Sequence, residues 1–131
     1  TYSPSRYEHL ATYSQVDIAL DPFPFNGHTT TCEALWMGVP VITLKGYTYF
    51  GRVAADFLKI VGLDNWIAES KEDYLNIALD LAKDHSVLKT MYGYGLREQV
   101  KHSPLCDRRS FIRSLETVYR QVWQTWCYSV Q

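Results

Sequence analysis

Between residues 16 and 44 the chain passes through an apolar stretch, a broken loop, a helix-length segment and a second apolar stretch, and nothing else in it restricts the fold as strongly. Val16-Asp17-Ile18-Ala19-Leu20 is short and mostly apolar, the pattern of a strand buried in a parallel sheet. Asp21-Pro22-Phe23-Pro24-Phe25-Asn26-Gly27 must be loop, because two prolines and an Asn-Gly pair interrupt both regular structures. Thr29 to Met37 reads as a helix with a Thr as its candidate cap, Glu33 in its first turns and Ala34, Leu35 and Met37 as packing residues. Gly38 ends it. Val39-Pro40-Val41-Ile42-Thr43-Leu44 is the second buried strand, with Pro40 near its entry, where a missing N–H does least harm. Strands alternating with helices in this way predict an α/β layered fold with a parallel sheet.

The rest of the chain extends this pattern without completing it. Thr1 to Ser5 is a polar loop, and Arg6 to Ser14 carries helical spacing through Tyr7, Leu10 and Ala11. Lys45 to Tyr49 is another loop, Arg52 to Ile60 another helix closed by Gly62, and Trp66-Ile67-Ala68 a very short third strand. Ser70-Lys71-Glu72-Asp73 opens an amphipathic helix through Tyr74, Ile77, Ala78 and Leu81. Ser86 to His102 reads as one further helix, weakened by Gly93 and Gly95. Phe111, Leu115, Val118, Val122 and Trp126 then recur at the spacing of a long final helix. A free-standing doubly wound sheet has about five or six strands; here two or three are visible. The expected fold is therefore a partial Rossmann-like sheet, the C-terminal portion of a larger domain. Its sheet part covers about residues 1–68 and its helical part about 70–131.

A net charge of −1 supplies no field to recruit nucleic acid or an anionic membrane. No apolar run approaches the roughly 20 residues of a membrane span. Cys32, Cys106 and Cys127 are odd in number and scattered, which predicts reduced thiols in a cytoplasmic protein.

Chemistry concentrates where the first strand gives way to the helix. Ligands of open α/β sheets bind beyond the carboxyl ends of strands, where the amides of a helix start carry partial positive charge suited to a diphosphate. Gly27 lets the backbone approach a ligand closely, Thr29, Thr30 and Thr31 offer hydroxyls beside their amides, and His28 stands at the loop tip. Glu33, one turn inside the helix, can accept from a ribose diol. Each has a simpler explanation when taken alone: a helix cap for the Thr run, a dipole partner for Glu33, a surface position for His28, an ordinary turn for Asn26-Gly27. Their joint occurrence in one unit carries the nucleotide reading, although the usual glycine-rich fingerprints are absent.

The run from Val16 to Val41 closely resembles the O-linked N-acetylglucosamine transferase family (glycosyltransferase family 41) and its bacterial relatives, centred on Asn26-Gly27-His28-Thr29-Thr30-Thr31-Cys32-Glu33. Arg52-Val53-Ala54-Ala55 and Ser103-Pro104-Leu105 resemble that family too. The resemblance implies a GT-B architecture, two Rossmann-like domains facing a cleft, with this chain supplying most of the second. It also implies inverting transfer of a sugar from a UDP donor to Ser or Thr of an acceptor protein, alongside helical repeats. Neither a metal nor a cofactor beyond the donor is expected.

On this resemblance His28, Thr29 and Thr30 hold the donor diphosphate and adjoining sugar, with Gly27 and Thr31 beside them. Glu33 binds ribose, where the animal enzymes carry Asp. His9 falls where a histidine packs on the uracil ring, and Arg6 where a lysine contacts the nucleotide. The lysine that assists the leaving diphosphate has no counterpart in this chain, so no catalytic residue is assigned. The other GT-B domain, the repeats and the acceptor-binding groups are likewise expected outside it, leaving a piece that binds UDP weakly and does not turn over. Lys45 matches no family position; it reads as a phosphate contact or a solvated lysine. Three other readings compete. One is a non-catalytic flavodoxin-like signalling domain, which should show five strands and an acidic cluster where Asp21 stands alone. Another is a metal site from His9, His28 and Cys32. The third is an interaction piece in which Trp123, Trp126 and Tyr128 are exposed and favour self-association.

Overall fold

The structure, a computed structural model, describes residues 5–91 and 94–129. The loop expected at Thr1 to Ser5 lies outside the described residues apart from Ser5, and Gly93 lies outside them too. Among the described residues three parallel strands form one sheet in the order β1 (Ala19–Leu20), β2 (Val41–Leu44), β3 (Ile67–Ala68). Ala19 pairs with Val41 and Leu20 with Ile42, while Thr43 pairs with Ile67 and Leu44 with Ala68. The β2 strand is therefore central and its carboxyl end lies beside those of both neighbours.

Helices α1 (Arg6–Thr12), α2 (Thr29–Trp36), α3 (Val53–Val61) and α4 (Lys71–Lys83) alternate with these strands. Three more close the chain: α5 (His85–Met91), α6 (Tyr94–Lys101) and α7 (Arg108–Ser129). The α4 cap is as the sequence predicts, Ser70 accepting from the Asp73 amide at 3.0 Å. One expectation is corrected. The first strand is shorter than Val16 to Leu20, because a 3-10 turn at Tyr13–Gln15 takes the Val16 amide before pairing with β2 begins. The segment expected as a helix from Ser86 to His102 is helical over His85–Met91 and Tyr94–Lys101, the two residues between lying outside the described ones.

The core lies where α2, α3 and α4 meet the sheet and α6 packs on α2, with Leu35, Val39, Ile42, Leu58 and Leu96 fully buried. Gly38 takes a φ of 83°, a left-handed turn that stops α2 and sends the chain into β2. Pro40 does not interrupt the ladder, since its carbonyl accepts from Ala19. The long α7 is different: none of its 22 residues is buried.

Candidate functional site

The site is built on Asp21, immediately after β1. Its carboxylate is 4% exposed and accepts from the Gly27 amide and the Thr43 hydroxyl, both at 2.7 Å. Its carbonyl accepts from the Tyr74 hydroxyl at 2.9 Å. One residue thus ties β1 to the loop, to β2 and to α4. Burial pushes the Asp21 carboxyl above its ordinary value, partly offset by the bonds from Thr43 and Gly27 and by the nearby His28. Burial, with a contribution from Asp21, also raises the Tyr74 phenol.

The Asp21 anchor folds the loop back so that α2 starts over the carboxyl edge of the sheet. Asn26, 1% exposed, donates its amide to the Phe50 carbonyl at 2.9 Å and its side-chain NH2 to the Pro22 carbonyl at 3.1 Å. The Phe23–Pro24 peptide bond between them is cis. Gly27 is needed for close approach: a Cβ there would lie 2.6 Å from the Thr31 hydroxyl and 2.7 Å from that of Thr30. His28, not a threonine, occupies the α2 cap position, and its side chain makes no capping bond. The Thr-cap expectation is therefore corrected, and Thr29, Thr30 and Thr31 form the first turn itself. The ladder opens with Cys32 donating to the His28 carbonyl at 3.2 Å, so the three Thr amides precede it and point out of the helix start. Thr29 and Thr30 are exposed, whereas Thr31 is buried against Gly27.

Glu33 is joined by α1. His9 Nε2 and Glu33 Oε2 are 3.1 Å apart, the carboxylate largely buried and the imidazole half-exposed. Tyr13, edge-on to His9, donates its hydroxyl to the Thr30 carbonyl at 3.3 Å. Burial first, and then the Glu33 charge, raises the Tyr13 phenol. Arg6 is exposed one turn before His9 on the same side of α1. The structure so assembles Gly27 to Glu33 as one unit, with His9 and Arg6 beside it. Lys45 stands apart, paired with Glu69 at 2.8 Å.

Sequence reasoning passed over Asp21 and Thr43 as partners, and Phe25, Tyr49 and Phe50 as neighbours of His28. An acidic residue ending a buried strand was the available signal for Asp21; nothing local signals the rest. Cys32 is half-buried and burial is the main reason its thiol is raised. Among the described residues no three His, Cys, Asp or Glu side chains are grouped to hold a metal, and no helix is long and apolar enough to cross a membrane.

Residues 2–115 match the profile of glycosyl transferase family 41. The chain is 44% identical over 121 residues to the probable UDP-N-acetylglucosamine–peptide N-acetylglucosaminyltransferase SPINDLY of Hordeum vulgare, and 42% identical to that of Solanum lycopersicum. Each match takes in 92% of this chain and 13% of the relative, so the chain spans only a small part of the curated relatives' length. Among solved structures, a mutant O-GlcNAc transferase of Thermobaculum terrenum superimposes with a TM-score of 0.88 at 38% identity, over 97% of this chain and 24% of that one. The partial parallel sheet with its long terminal helix is the GT-B piece the sequence predicts.

Proposed function

The chain belongs to glycosyl transferase family 41, and from that premise we propose that it forms the donor-nucleotide half of a protein O-glycosyltransferase site using a UDP-sugar. The observation that carries this reading is the α2 start: three Thr amides ahead of the helical ladder, aimed from the carboxyl edge of the sheet. A diphosphate set there meets the amides, the exposed hydroxyls of Thr29 and Thr30, and His28. Glu33 accepts from the ribose diol with one oxygen while the other holds His9, whose ring then packs on uracil with Arg6 alongside. The chemistry assigned is displacement at the anomeric carbon with inversion by a Ser or Thr hydroxyl. This half lowers the barrier by stabilising charge on the departing UDP.

Acceptor binding and assistance to the leaving group fall, on this reading, to polypeptide beyond these residues. On this reading the chain alone binds UDP but does not transfer sugar, and its free thiols support a cytoplasmic location. Calorimetric titration with UDP and with AMP tests the assignment. UDP should bind more tightly than AMP, and the Thr29→Ala, Thr30→Ala double variant should erase most of that preference. Equal affinity for the two nucleotides would overturn it. Sugar transfer by the isolated chain above a Glu33→Ala control would overturn the claim of inactivity.

A further inference from the structure

The imidazole of His28 is held by rings that no donor contact requires. Phe25 stacks on it, with centroids 5.4 Å apart and planes 10° from parallel. Phe25 also stacks on Phe50, at 5.4 Å and 16°. Tyr49 meets His28 edge-on at 6.3 Å and 88°. Tyr49 and Phe50 come from the short 3-10 turn Tyr49–Gly51 between β2 and α3, so a second loop reaches over to brace the first. The backbone locks that arrangement through the Asn26 amide bonded to the Phe50 carbonyl. His28 Nε2 is itself buried and has no hydrogen-bond partner among the described residues, so a ligand reaching this ring meets its other nitrogen, Nδ1.

A ring pinned on its face and met edge-on has lost rotational freedom about its side-chain bonds before any ligand arrives. Such loss is unfavourable for the free protein and favourable for binding, because the ligand need not impose it. Phe25 is 61% exposed and Tyr49 69%, exposure that folding alone does not favour for two large apolar rings.

We propose that Phe25, braced by Phe50 and Tyr49, is a positioning residue that fixes the His28 imidazole with Nε2 turned into the aromatic enclosure and Nδ1 left to contact the donor. The inference rests on the proposed role of His28 at the diphosphate, and it adds which neighbour orients the ring and which nitrogen is used. Phe25 itself need not touch the nucleotide.

A double-mutant cycle read by UDP titration tests it, using Phe25→Leu to remove the ring, Phe25→Tyr to keep it, and His28→Ala. His28→Ala should weaken UDP binding about tenfold, the size of a hydrogen bond to a charged group. Phe25→Leu should weaken it roughly two- to tenfold, the worth of a stacked pair, and Phe25→Tyr should restore it. In the His28→Ala background Phe25→Leu should add nothing. Nitrogen-15 spectra of the imidazole supply a second measure: UDP should move the Nδ1 resonance of His28 and leave Nε2 unmoved, and Phe25→Leu should abolish that selectivity. An unchanged loss from Phe25→Leu with and without His28 would overturn the positioning role while leaving the donor site in place. No effect of His28→Ala would instead overturn the proposed contact of His28 itself, and this inference with it. A UDP response at Nε2 would overturn the assignment of the nitrogen.

Discussion

Leu58 in α3 and Leu115 in α7 are the same side chain on helices of the same amphipathic pattern, yet the first is fully buried and the second 38% exposed. The contrast holds for the whole elements. Five of the nine residues of α3 are buried, and none of the 22 in α7. Phe111, Val118, Val122, Trp123 and Trp126 all stand at least half exposed along α7. The helix contacts the turn at Pro104–Cys106, at its own start. A period of 3.6 residues specifies a face that needs covering; it does not specify what covers it. For α3 the cover is inside the chain, supplied by β2 and by the turns at Asp64–Trp66 and Pro104–Cys106. For α7 it is not among the described residues.

The same substitution in the two helices gives the largest predicted effect and the most direct way to break the comparison. Leu58→Ala should destabilise folding by about 2–5 kcal/mol, the cost of a cavity in a packed core. Leu115→Ala should cost less than about 1 kcal/mol, since it opens no cavity and alanine favours the helix slightly. Urea unfolding of both variants at low protein concentration checks this. Comparable losses would mean that α7 is packed in solution. A Leu115→Ala loss that appears only at high concentration would mean that copies of the chain cover one another's α7.

The division also marks what could be read from sequence. The β1–loop–α2–β2 unit was legible because each step follows from neighbours: the apolar runs, the two prolines, Gly38 at the helix end. The resemblance supplied His9 as a site residue, but its bond to Glu33, 24 positions away, depends on how α1 packs on α2. The Asp21–Thr43 bond, 22 positions apart, depends on the register that sets Leu20 opposite Ile42 and so brings the next residues together. Stacking of Phe25 on Phe50 requires two loops to meet over the sheet edge. Contacts of this kind follow from tertiary packing, and no local spacing records them.

Asp21 sharpens the comparison within the sheet half, because its contribution is polar and titrates. Asp21→Ala strips the buried Gly27 amide and Thr43 hydroxyl of their acceptor and should cost about 1–3 kcal/mol. The pH dependence has a definite sign. Burial holds the folded carboxyl above its ordinary value, so the folded chain binds this proton more tightly than the unfolded chain does. The resulting stability is fully present below the ordinary carboxylate range and is lost as pH rises through the raised folded value. Wild type minus Asp21→Ala stability should therefore decline across that acidic window and level off above it. Urea midpoints taken at stepped pH would show this; a difference that grows with rising pH would mean that the bonds from Gly27 and Thr43 outweigh burial.

Lys45 gives the smallest effect and tests where the site stops. It lies at the carboxyl end of β2, on the same edge as the α2 start, yet its ammonium is 2.8 Å from Glu69 and both side chains are solvated. The bond to Glu69 is the main reason its amine is raised, so the charge is secure and already partnered. Removing an exposed pair of this kind changes little, because water and salt screen it before and after. Lys45→Ala should leave stability unchanged and UDP affinity within about twofold, as expected of a solvated pair. Tight UDP binding that collapses in Lys45→Ala but survives in Glu69→Ala would mean that the lysine leaves its carboxylate for the donor. The nucleotide site would then extend along the sheet edge from α2 to β2, and the exposed rim of this half would differ from exposed α7 in having a ligand to meet.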